Sequence, residues 1–437
     1  MTTSAIPNDP LVKRLETVRH LIGSGKLSEA AERLQGVAKS APGDPRVYLV
    51  GMHLAEAAGN SQKALDAARR AVQLTPQWPV AVTELALLLA RQNQFPEAIK
   101  YAQQAVQLDG DNPEVIGRVI DIAHRAQHAE LAIEWLAHAV VLVPSDMKIR
   151  LDLARDLRFT GKFDESIAFY DSVLQQVPAQ PEALLGRAQT RVAMGRRELA
   201  LADTDALLAL DATNEEYQYW HTLAQGGTPS RQPVTMVRDL YEAMAGTYDQ
   251  HVVAGLKYKL PRDVAARIRA LYPESLNVLD LGSGTGLLGV CLGRIQGALI
   301  GVEISPKMVE QAARHNVYDR FHTVDLLDAL QETPEGLYDV ITALDVFIYV
   351  GELGAAIPNA LRVLKTGGHF MFSCETAAPE EADLVLRPNQ RYAHKASHVE
   401  ALCRAAGFQD VTLEAMPLRY ENNEPVPGFL VIARKPA

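Results

Sequence analysis

A glycine-rich stretch in the second half of the chain has the residue types that bind a ligand through main-chain groups. It runs from Asn277 to Gly286 and carries glycines at positions 282, 284 and 286. Glycine has no β-carbon, so the turn can be tight and a ligand can lie against its N–H groups. The apolar segment that opens at Leu287 is predicted to be a helix, whose N-terminal N–H groups would point at the same place. Asp280 adds a carboxylate where the preceding apolar strand ends.

Strands and helices alternate around this stretch, which predicts a parallel sheet with right-handed crossovers. The predicted strands lie at about 277–281, 298–303, 321–324, 338–344, 368–374, 410–417 and 428–434. The last two are joined by a polar loop without a helix, so they are expected to form an antiparallel hairpin at the edge. A seven-stranded sheet that ends in such a hairpin resembles the class I S-adenosylmethionine-dependent methyltransferases.

This resemblance extends to motifs in the same order and implies a role for each of them. The motif from Asp280 to Gly286 would hold the amino-acid part of S-adenosylmethionine. Glu303 would accept both ribose hydroxyls in a bidentate manner, and Asp325 would accept from the adenine amino group. Apolar side chains would contact the adenine ring, and Tyr248 would close over the cofactor. The implied cofactor-binding residues are Tyr248, Asp280, Gly282, Ser283, Gly284, Gly286, Glu303, Ile304, Met308, Asp325 and Leu326.

Methyl transfer from a sulfonium requires an acceptor lone pair behind the methyl group and the exclusion of water. A base is needed only if the acceptor is protonated at the working pH. The candidate catalytic residues are Asp345, His251, His394 and Tyr248, and the candidate substrate contacts are Arg391, Tyr392, Arg419 and Tyr349. The two arginines would anchor a carboxylate or a phosphate. The structural alternatives are a helix cap for Asp345 and His394, a helix-surface position for His251, core packing for Tyr248 and salt-bridged arginines.

The same glycine stretch also satisfies a dinucleotide-binding pattern. Residues 284–289 read G-x-G-x-x-G, and Glu303 lies about where the acid that binds the ribose would be. A nicotinamide-dependent oxidoreductase is therefore an alternative. Gly282 argues against it, because the turn begins before the pattern does. Asp280 also argues against it, because it would place a negative charge near a pyrophosphate.

The first half of the chain is a repeat array. Residues that favour a left-handed or tight turn recur every 34 positions, at Gly25, Gly59, Asn93, Gln127, Gly161 and Gly195. Small residues follow them at Ala30, Ala64, Ala98, Ala132, Ser166 and Ala200, and prolines at Pro42, Pro76, Pro144 and Pro178. This grid resembles the tetratricopeptide repeat in six copies from Leu11 to Asn214. A helix over Glu215 to Ala224 would cover the open end of the stack. Segments 241–261, 390–394 and 418–426 further resemble methyltransferases that carry such repeats.

A concave groove in this array is expected to bind a protein or peptide. The positions that usually face the groove carry Arg19, Arg46, His53, Arg91, His124, Arg125, Lys148, Arg155 and Arg158. The same set of positions also carries Glu56, Glu114, Asp121 and Glu182. A locally basic groove would suit an acidic or phosphorylated segment. The alternatives are a spacer or a surface for homodimerisation.

Composition bounds the remaining possibilities. The 437 residues are 48% hydrophobic and 22% charged with a net charge of −10, which disfavours a general nucleic-acid binder. The longest apolar runs are too short for a membrane-spanning helix. Three separated cysteines predict buried reduced thiols, no metal site and a cytoplasmic protein. The predicted organisation is a multidomain all-α solenoid followed by an α/β domain: tail 1–10, repeats with cap 11–226, linker 227–235 and methyltransferase domain 236–437.

The sequence therefore favours an S-adenosylmethionine-dependent methyltransferase whose repeat array recruits a protein or peptide substrate or partner. Two alternatives stay open. One is a methyltransferase for small molecules or natural products that uses the array to dimerise. The other is a noncatalytic scaffold that only binds S-adenosylmethionine.

Overall fold

The computed structural model describes residues 9–246, 248, 257–421 and 423–437. His251, a predicted catalytic residue, lies outside the described residues. The chain divides into two compact units between Met194 and Gly195. No helix in the described part of the chain combines the length and apolar character needed to cross a lipid bilayer.

In the described residues, the first unit consists of five antiparallel helix pairs and one further helix. They are α1 (Pro10–Gly23), α2 (Leu27–Ser40), α3 (Pro45–Ala57), α4 (Ser61–Leu74), α5 (Pro79–Arg91), α6 (Phe95–Asp109), α7 (Pro113–Arg125), α8 (Ala129–Leu142), α9 (Met147–Phe159), α10 (Phe163–Leu174) and α11 (Pro181–Ala193).

The 34-residue grid marks the turn inside each helix pair. The aligned residues all have left-handed backbone, with φ from 53° at Gln127 to 78° at Gly161. Four of the six are glycine because a β-carbon is strained there. The small residues that follow, such as Ala30 and Ala64, have no exposed surface and let the paired helices approach closely. The predicted repeat is thus confirmed at the positions that set its geometry.

The basic side chains of the array are largely paired within it. Arg91 Nε lies 2.9 Å from Glu56 Oε1 on the preceding pair of helices. His124 Nε2 similarly lies 2.6 Å from Asp156 Oδ2. Further pairs join Arg46 to Asp44, Arg125 to Asp121, and Arg155 to Asp152. Because these five basic side chains have local partners, the array offers less free positive charge than the sequence predicts.

The second unit contains the sheet and its flanking helices. The helices are α12 (Arg197–Leu210), α13 (Glu215–Ala224), α14 (Val234–Met244), α15 (Leu260–Leu271), α16 (Leu287–Leu292), α17 (Pro306–Ala313), α18 (Leu326–Glu332), α19 (Ala356–Val363) and α20 (Ala396–Ala406). The strands are β1 (Val278–Leu281), β2 (Leu299–Val302), β3 (Arg320–His322), β4 (Tyr338–Ala343), β5 (Leu364–Thr376), β6 (Leu384–Leu386), β7 (Tyr392–His394), β8 (Gln409–Glu421) and β9 (Glu424–Arg434).

The strand order confirms a methyltransferase-like sheet and adds two short strands to it. The order is β3-β2-β1-β4-β5-β7-β6, and β9 pairs antiparallel with both β5 and β8. Strands β1 to β5 and β7 are parallel, so their carboxyl ends meet at one edge. Strand β5 pairs with β9 over most of its length and with β7 only at Glu375 and Thr376. This branch brings β7 and the β8–β9 hairpin to the edge that carries the glycine turn.

Candidate active site

The glycine turn lies at the carboxyl end of β1 and has the tight geometry that its composition predicts. Gly282, Gly284 and Gly286 all have positive φ, from 55° to 83°. A β-carbon at Gly282 would lie 2.3 Å from Val346 Cγ2, so only glycine fits below the loop after β4. The Gly284 N–H donates to Glu303 Oε2 at 2.9 Å, which ties the turn to the end of β2.

Asp280 is buried under this turn and is held by two hydroxyl groups. Tyr318 Oη donates to Asp280 Oδ2 at 2.6 Å, and Thr342 Oγ1 donates to Oδ1 at 2.7 Å. Burial raises the pKa of Asp280 to about 6, although the two hydroxyl donors oppose the shift. A buried carboxylate with both oxygens engaged is a fixed negative charge at neutral pH. Neither Tyr318 nor Thr342 was predicted as a partner of Asp280.

Tyr318 also explains the third glycine of the dinucleotide-like pattern, Gly289. A β-carbon at Gly289 would lie 2.2 Å from the Tyr318 ring, and the Gly289 N–H donates to Tyr318 Oη at 3.2 Å. Gly289 is therefore required for packing against an aromatic side chain that buttresses Asp280. The pattern has a structural cause in this chain that does not involve a dinucleotide.

Glu303 and Asp325 lie along the same edge, at the ends of the next two strands. Glu303 Oε1 accepts from the Ser305 N–H at 2.8 Å, so each oxygen of this buried carboxylate has one main-chain donor. Burial raises the pKa of Glu303, and those main-chain hydrogen bonds oppose the shift. Asp325 Oδ1 caps α18 by accepting from the Leu327 N–H at 2.9 Å.

A cleft with an empty volume of about 720 Å³ connects these groups. Its described lining residues include Gly282, Gly284, Glu303, Ile304, Val324, Asp325, Leu326, Asp345, Val346 and Tyr349. A smaller cavity of about 360 Å³, lined by Asp280, Ser283 and Tyr258, shares Tyr248, Gly282, Gly284 and Leu344 with the cleft.

Met308 does not line this cleft, which corrects its predicted contact with an adenine ring. Its side chain has no exposed surface and packs beneath the turn, with Cε 3.9 Å from a β-carbon placed on Gly284. The helical period places Met308 inward because α17 must cover the sheet. Val324, which is 41% exposed, offers apolar surface in the cleft together with Ile304.

Residues 229–232, here called the strap, form a wall of the cleft although the sequence predicts a linker. Ser230 O accepts from the N–H groups of Gly351 and Glu352, and the Gln232 N–H donates to Tyr349 O. Arg231 forms an isolated antiparallel bridge with Val350. Helix α14 follows, and its Val234, Val237 and Tyr241 line the same cleft.

Arg231 connects the strap to the cleft and to helix α13. Its Nη1 lies 3.2 Å from Asp325 Oδ1, and its Nη2 lies 3.6 Å from Glu215 Oε1. The side chain is 30% exposed and lines the cleft. The sequence analysis missed Arg231, because a polar stretch rich in glycine and proline gives no sign that it docks on a sheet.

Asp345 lies at the end of β4 and belongs to a buried network of charges. Its backbone is left-handed with φ 57°, and its N–H donates to Ser373 Oγ at 2.8 Å. Arg419 Nη1 donates to Asp345 Oδ1 at 2.6 Å, and Arg419 Nε donates to Glu421 Oε1 at 2.8 Å. Arg419 Nη2 also donates to Glu375 Oε1.

Arg391 joins the same network through Glu421. Burial tends to raise the pKa of Glu421, but hydrogen bonds from Arg419 and Arg391 outweigh it and leave the pKa lowered. Arg419 is only 2% exposed. The prediction that these two arginines anchor a carboxylate or phosphate of the substrate is wrong in this structure, because their guanidinium groups already bind protein carboxylates.

Tyr392 and His394 on β7 lie in the core, which corrects their predicted roles at the acceptor. Tyr392 has no exposed surface, and its hydroxyl donates to Pro229 O in the strap at 2.9 Å. His394 is 1% exposed, and its Nε2 donates to Gly351 O at 2.8 Å. Burial lowers the pKa of His394 to about 4, so it is neutral at pH 7. Both side chains fix the loop after β4 and do not face the cleft.

Three tyrosines, Tyr241, Tyr248 and Tyr349, lie together at the Asp345 end of the cleft. Tyr241 is 5.8 Å from Tyr248 and 5.7 Å from Tyr349 between ring centroids, in edge-on contacts. The hydroxyl oxygens of Tyr241 and Tyr349 are 3.0 Å apart. Burial raises the pKa of all three, so they stay neutral at pH 7. Tyr248 and Tyr349 thus line the cleft, and their roles toward the cofactor and the acceptor stay predictions.

Comparison with known proteins agrees with this geometry. A family model described as a methyltransferase domain matches residues 255–413. A second model, described as a tetratricopeptide repeat, matches residues 15–79, 83–146 and 151–215.

Individual relatives match only part of the chain. The ubiquinone biosynthesis O-methyltransferase of Nitrosomonas europaea is 25% identical over 156 residues, which cover 32% of this chain and 66% of that protein. Methyltransferase-like protein 27 of Homo sapiens is 36% identical over 135 residues, which cover 29% of this chain and 53% of that protein. The match thus spans less than two thirds of either relative.

Among solved structures, magnesium protoporphyrin IX methyltransferase from Synechocystis PCC 6803 with bound SAM is 20% identical, with a TM-score of 0.36. The superposition covers 46% of this chain and 96% of that one. The two family models, together with the sheet order and the repeat grid, identify the chain as a tetratricopeptide repeat array joined to a methyltransferase domain.

Proposed function

We propose that the chain is an S-adenosylmethionine-dependent methyltransferase. The observation that carries the proposal is the hydrogen bond from the Gly284 N–H to Glu303, in a cleft that also reaches Asp325. Each Glu303 oxygen has one main-chain donor, and a carboxylate oxygen can accept a second hydrogen bond. Both oxygens can therefore accept from the hydroxyls of a ribose.

The remaining groups fit the same cofactor. Asp280 and Ser283 line the smaller cavity, where a fixed negative charge suits an amino group. Ser283 Oγ is buried without a hydrogen-bond partner among the described residues, as expected of a group that a ligand completes. When bound, S-adenosylmethionine supplies an electrophilic methyl group. The chain's own residues would position the cofactor, exclude water and orient the acceptor beside Asp345.

Replacing Glu303 with glutamine tests the cofactor site directly. We expect Glu303→Gln to weaken S-adenosylhomocysteine binding about 10- to 100-fold, because two charge-assisted hydrogen bonds become neutral ones. Isothermal titration calorimetry on the full chain measures this. Glu310→Gln, an exposed change on the adjacent helix α17, should leave the affinity unchanged. Equal affinities for the Glu303 variant and the native chain would contradict the assignment.

Replacing Arg231 tests whether the strap contributes to cofactor binding. We expect Arg231→Ala to weaken S-adenosylhomocysteine binding about fivefold, because Asp325 loses the ion pair that orients it, worth about 1 kcal/mol. Glu215→Gln is the control, because it removes only the longer 3.6 Å contact on the outer side of Arg231. Its effect on the same titration should be under twofold. A tighter affinity for Arg231→Ala would mean that Arg231 competes with the cofactor for Asp325.

We further propose that the repeat array binds a protein or peptide that is the substrate or presents it. The internal pairing of the array's charges weakens the case for a strongly acidic segment. Incubating cell extract with tritium-labelled S-adenosylmethionine, then separating proteins from small molecules, tests this proposal. Label in small molecules alone would favour dimerisation by the array. Cofactor binding without any label transfer would favour the noncatalytic scaffold.

A further inference from the structure

The Asp345 end of the cleft has a carboxylate held in place with one oxygen available. Arg419 engages Oδ1, and the main-chain hydrogen bond to Ser373 fixes the residue at the end of β4. Within the described residues, Oδ2 has no hydrogen-bond partner. The Asp345 side chain is 19% exposed and lines the cleft. Oδ2 can therefore accept a hydrogen bond from a ligand.

The three tyrosines beside Asp345 form an aromatic wall suited to a cation. Their edge-on contacts at 5.7 and 5.8 Å leave ring surface toward the cleft, which all three line. A cation within about 6 Å of such a ring is attracted by its negative face, and the attraction strengthens when water is excluded. Neutral hydroxyls on Tyr241 and Tyr349 add hydrogen-bonding groups to the same wall.

The charges around this wall disfavour an anionic acceptor. The network that includes Asp345 contains three carboxylates, which outnumber its two guanidinium groups. The carboxylates are those of Asp345, Glu375 and Glu421, and the guanidinium groups are those of Arg391 and Arg419. Of the described residues that line the cleft, Arg231 is the one cation, and it pairs with Asp325. A carboxylate or phosphate would thus meet excess negative charge without a free cation, whereas a positive charge would be stabilised.

We propose, on the basis of the proposed methyltransferase function, that the acceptor is an amine nitrogen bound as its ammonium form between the tyrosine wall and Asp345. Before transfer, the ammonium passes one proton to Asp345 Oδ2 and so frees its lone pair. Methyl transfer then forms a C–N bond and breaks the C–S bond, so that the positive charge moves from sulfur to nitrogen. Asp345 then carries the proton that the ammonium gave up, and the ring faces of the tyrosine wall stabilise the positive charge that develops on nitrogen. Burial raises the pKa of Asp345, which favours its taking the proton.

Binding of three ligands of equal shape and different charge tests the proposal without using activity. Benzylamine, benzyl alcohol and benzoate are titrated into the full chain saturated with S-adenosylhomocysteine. We expect benzylamine to bind at least about tenfold tighter than benzyl alcohol, and benzoate to bind weakest. Equal affinities, a preference for the alcohol or benzoate, or no binding of any of the three would overturn the amine assignment. Failure of S-adenosylhomocysteine itself to bind would instead overturn the proposed function, and the amine assignment would fall with it.

Two side chains separate the contributions of charge and ring. Asp345→Asn should weaken benzylamine about tenfold and leave S-adenosylhomocysteine and benzyl alcohol within about twofold. Tyr349→Leu should weaken benzylamine more than Tyr349→Phe does, because only leucine removes the ring. The comparison of Tyr349→Leu with Tyr349→Phe keeps the test valid if Asp345→Asn disturbs Arg419. Equal losses for Tyr349→Leu and Tyr349→Phe, or equal loss of all ligands in Asp345→Asn, would contradict a cation site.

A binding experiment with peptides distinguishes an amine on a protein side chain from an amine on a small molecule. A hexapeptide with a single lysine and an acetylated N-terminus is compared with the same peptide carrying norleucine in its place. A preference for the lysine peptide that exceeds the preference for benzylamine over benzyl alcohol would place the amine on a protein. Preference only among the benzyl ligands would place it on a small molecule.

Discussion

Arg419→Met should be the most destabilising single change in the sheet domain, at about 3–5 kcal/mol near pH 7. Arg419 is 2% exposed and donates to Asp345, Glu375 and Glu421 through three different nitrogens. Its loss leaves the buried carboxylate of Glu375 and the half-buried carboxylates of Asp345 and Glu421 with Arg391 alone. Arg419→Lys should recover only part of the stability, because an ammonium group does not reproduce the planar fork. Chemical denaturation, with hydrogen exchange followed on peptides from β8 and β9, measures the loss.

The pH dependence of this loss identifies its cause. In the native chain, Glu421 has a lowered pKa, so it contributes stability above its unfolded pKa and loses it as the pH falls. Without Arg419, burial is opposed by fewer hydrogen bonds, so the folded pKa of Glu421 rises and the already raised pKa of Asp345 rises further. The deficit of the variant should therefore shrink toward pH 4, where the carboxylates become protonated. Arg434→Met, which breaks an exposed pair with Asp410, should cost under about 1 kcal/mol. Similar losses for the Arg419 and Arg434 variants would show that the network contributes little.

Asp280→Asn should stabilise the ligand-free chain at pH 8 while weakening cofactor binding at least about tenfold. Burial raises the pKa of Asp280 to about 6 from its ordinary value of 3.8, so keeping it ionised costs about 3 kcal/mol. Asparagine removes this cost, but it leaves the Tyr318 hydroxyl without a charged acceptor, which destabilises the variant by about 1 kcal/mol. The expected net gain is about 2 kcal/mol.

The raised pKa of Asp280 also determines how the stabilisation by Asp280→Asn depends on pH. Because the folded pKa of Asp280 is raised, the native chain does not carry the cost of ionising this buried carboxyl group below about pH 4. Its free energy of unfolding falls as the pH rises from there through about 6. The two melting temperatures should converge at low pH and separate above pH 6. Thr342→Val, which removes one hydroxyl donor but keeps the charge, should destabilise the chain by about 1 kcal/mol. A lower melting temperature for Asp280→Asn than for the native chain at pH 8 would contradict the account.

Local chemistry explains which parts of the site were predictable from sequence. The glycine turn and the left-handed repeat positions follow from φ values that glycine adopts at little cost. Alternating strands and helices fix which residues meet at the carboxyl edge of the sheet, so Glu303 and Asp345 were placed correctly along it. Strands β6 and β7 were missed because three residues are too few for a periodic pattern, whereas the equally short β3 was predicted from its place in the alternation of strands and helices.

The parts of the site that were not predictable depend on contacts between residues far apart in the sequence. A sequence shows that Arg419 carries a charge, but only the fold shows that three carboxylates surround it. Tyr318 is 38 positions from Asp280, and Thr342 reaches it from the neighbouring strand. Gly289 was the available signal for Tyr318, since a glycine inside a helix usually marks a close approach by another group.

The strap sets a condition on how such a chain can arise by recombination. The repeat model ends at residue 215 and the methyltransferase model begins at 255, so residues 216–254 belong to neither family match. Yet this interval supplies the strap and α14, including Arg231 and Tyr241 in the cleft. A gene fusion that begins at residue 255 would therefore inherit the sheet with an incomplete binding cleft, whereas one that begins at residue 216 would keep the interval. Only an exchange that carries the interval along with the sheet would transfer a working site to another protein.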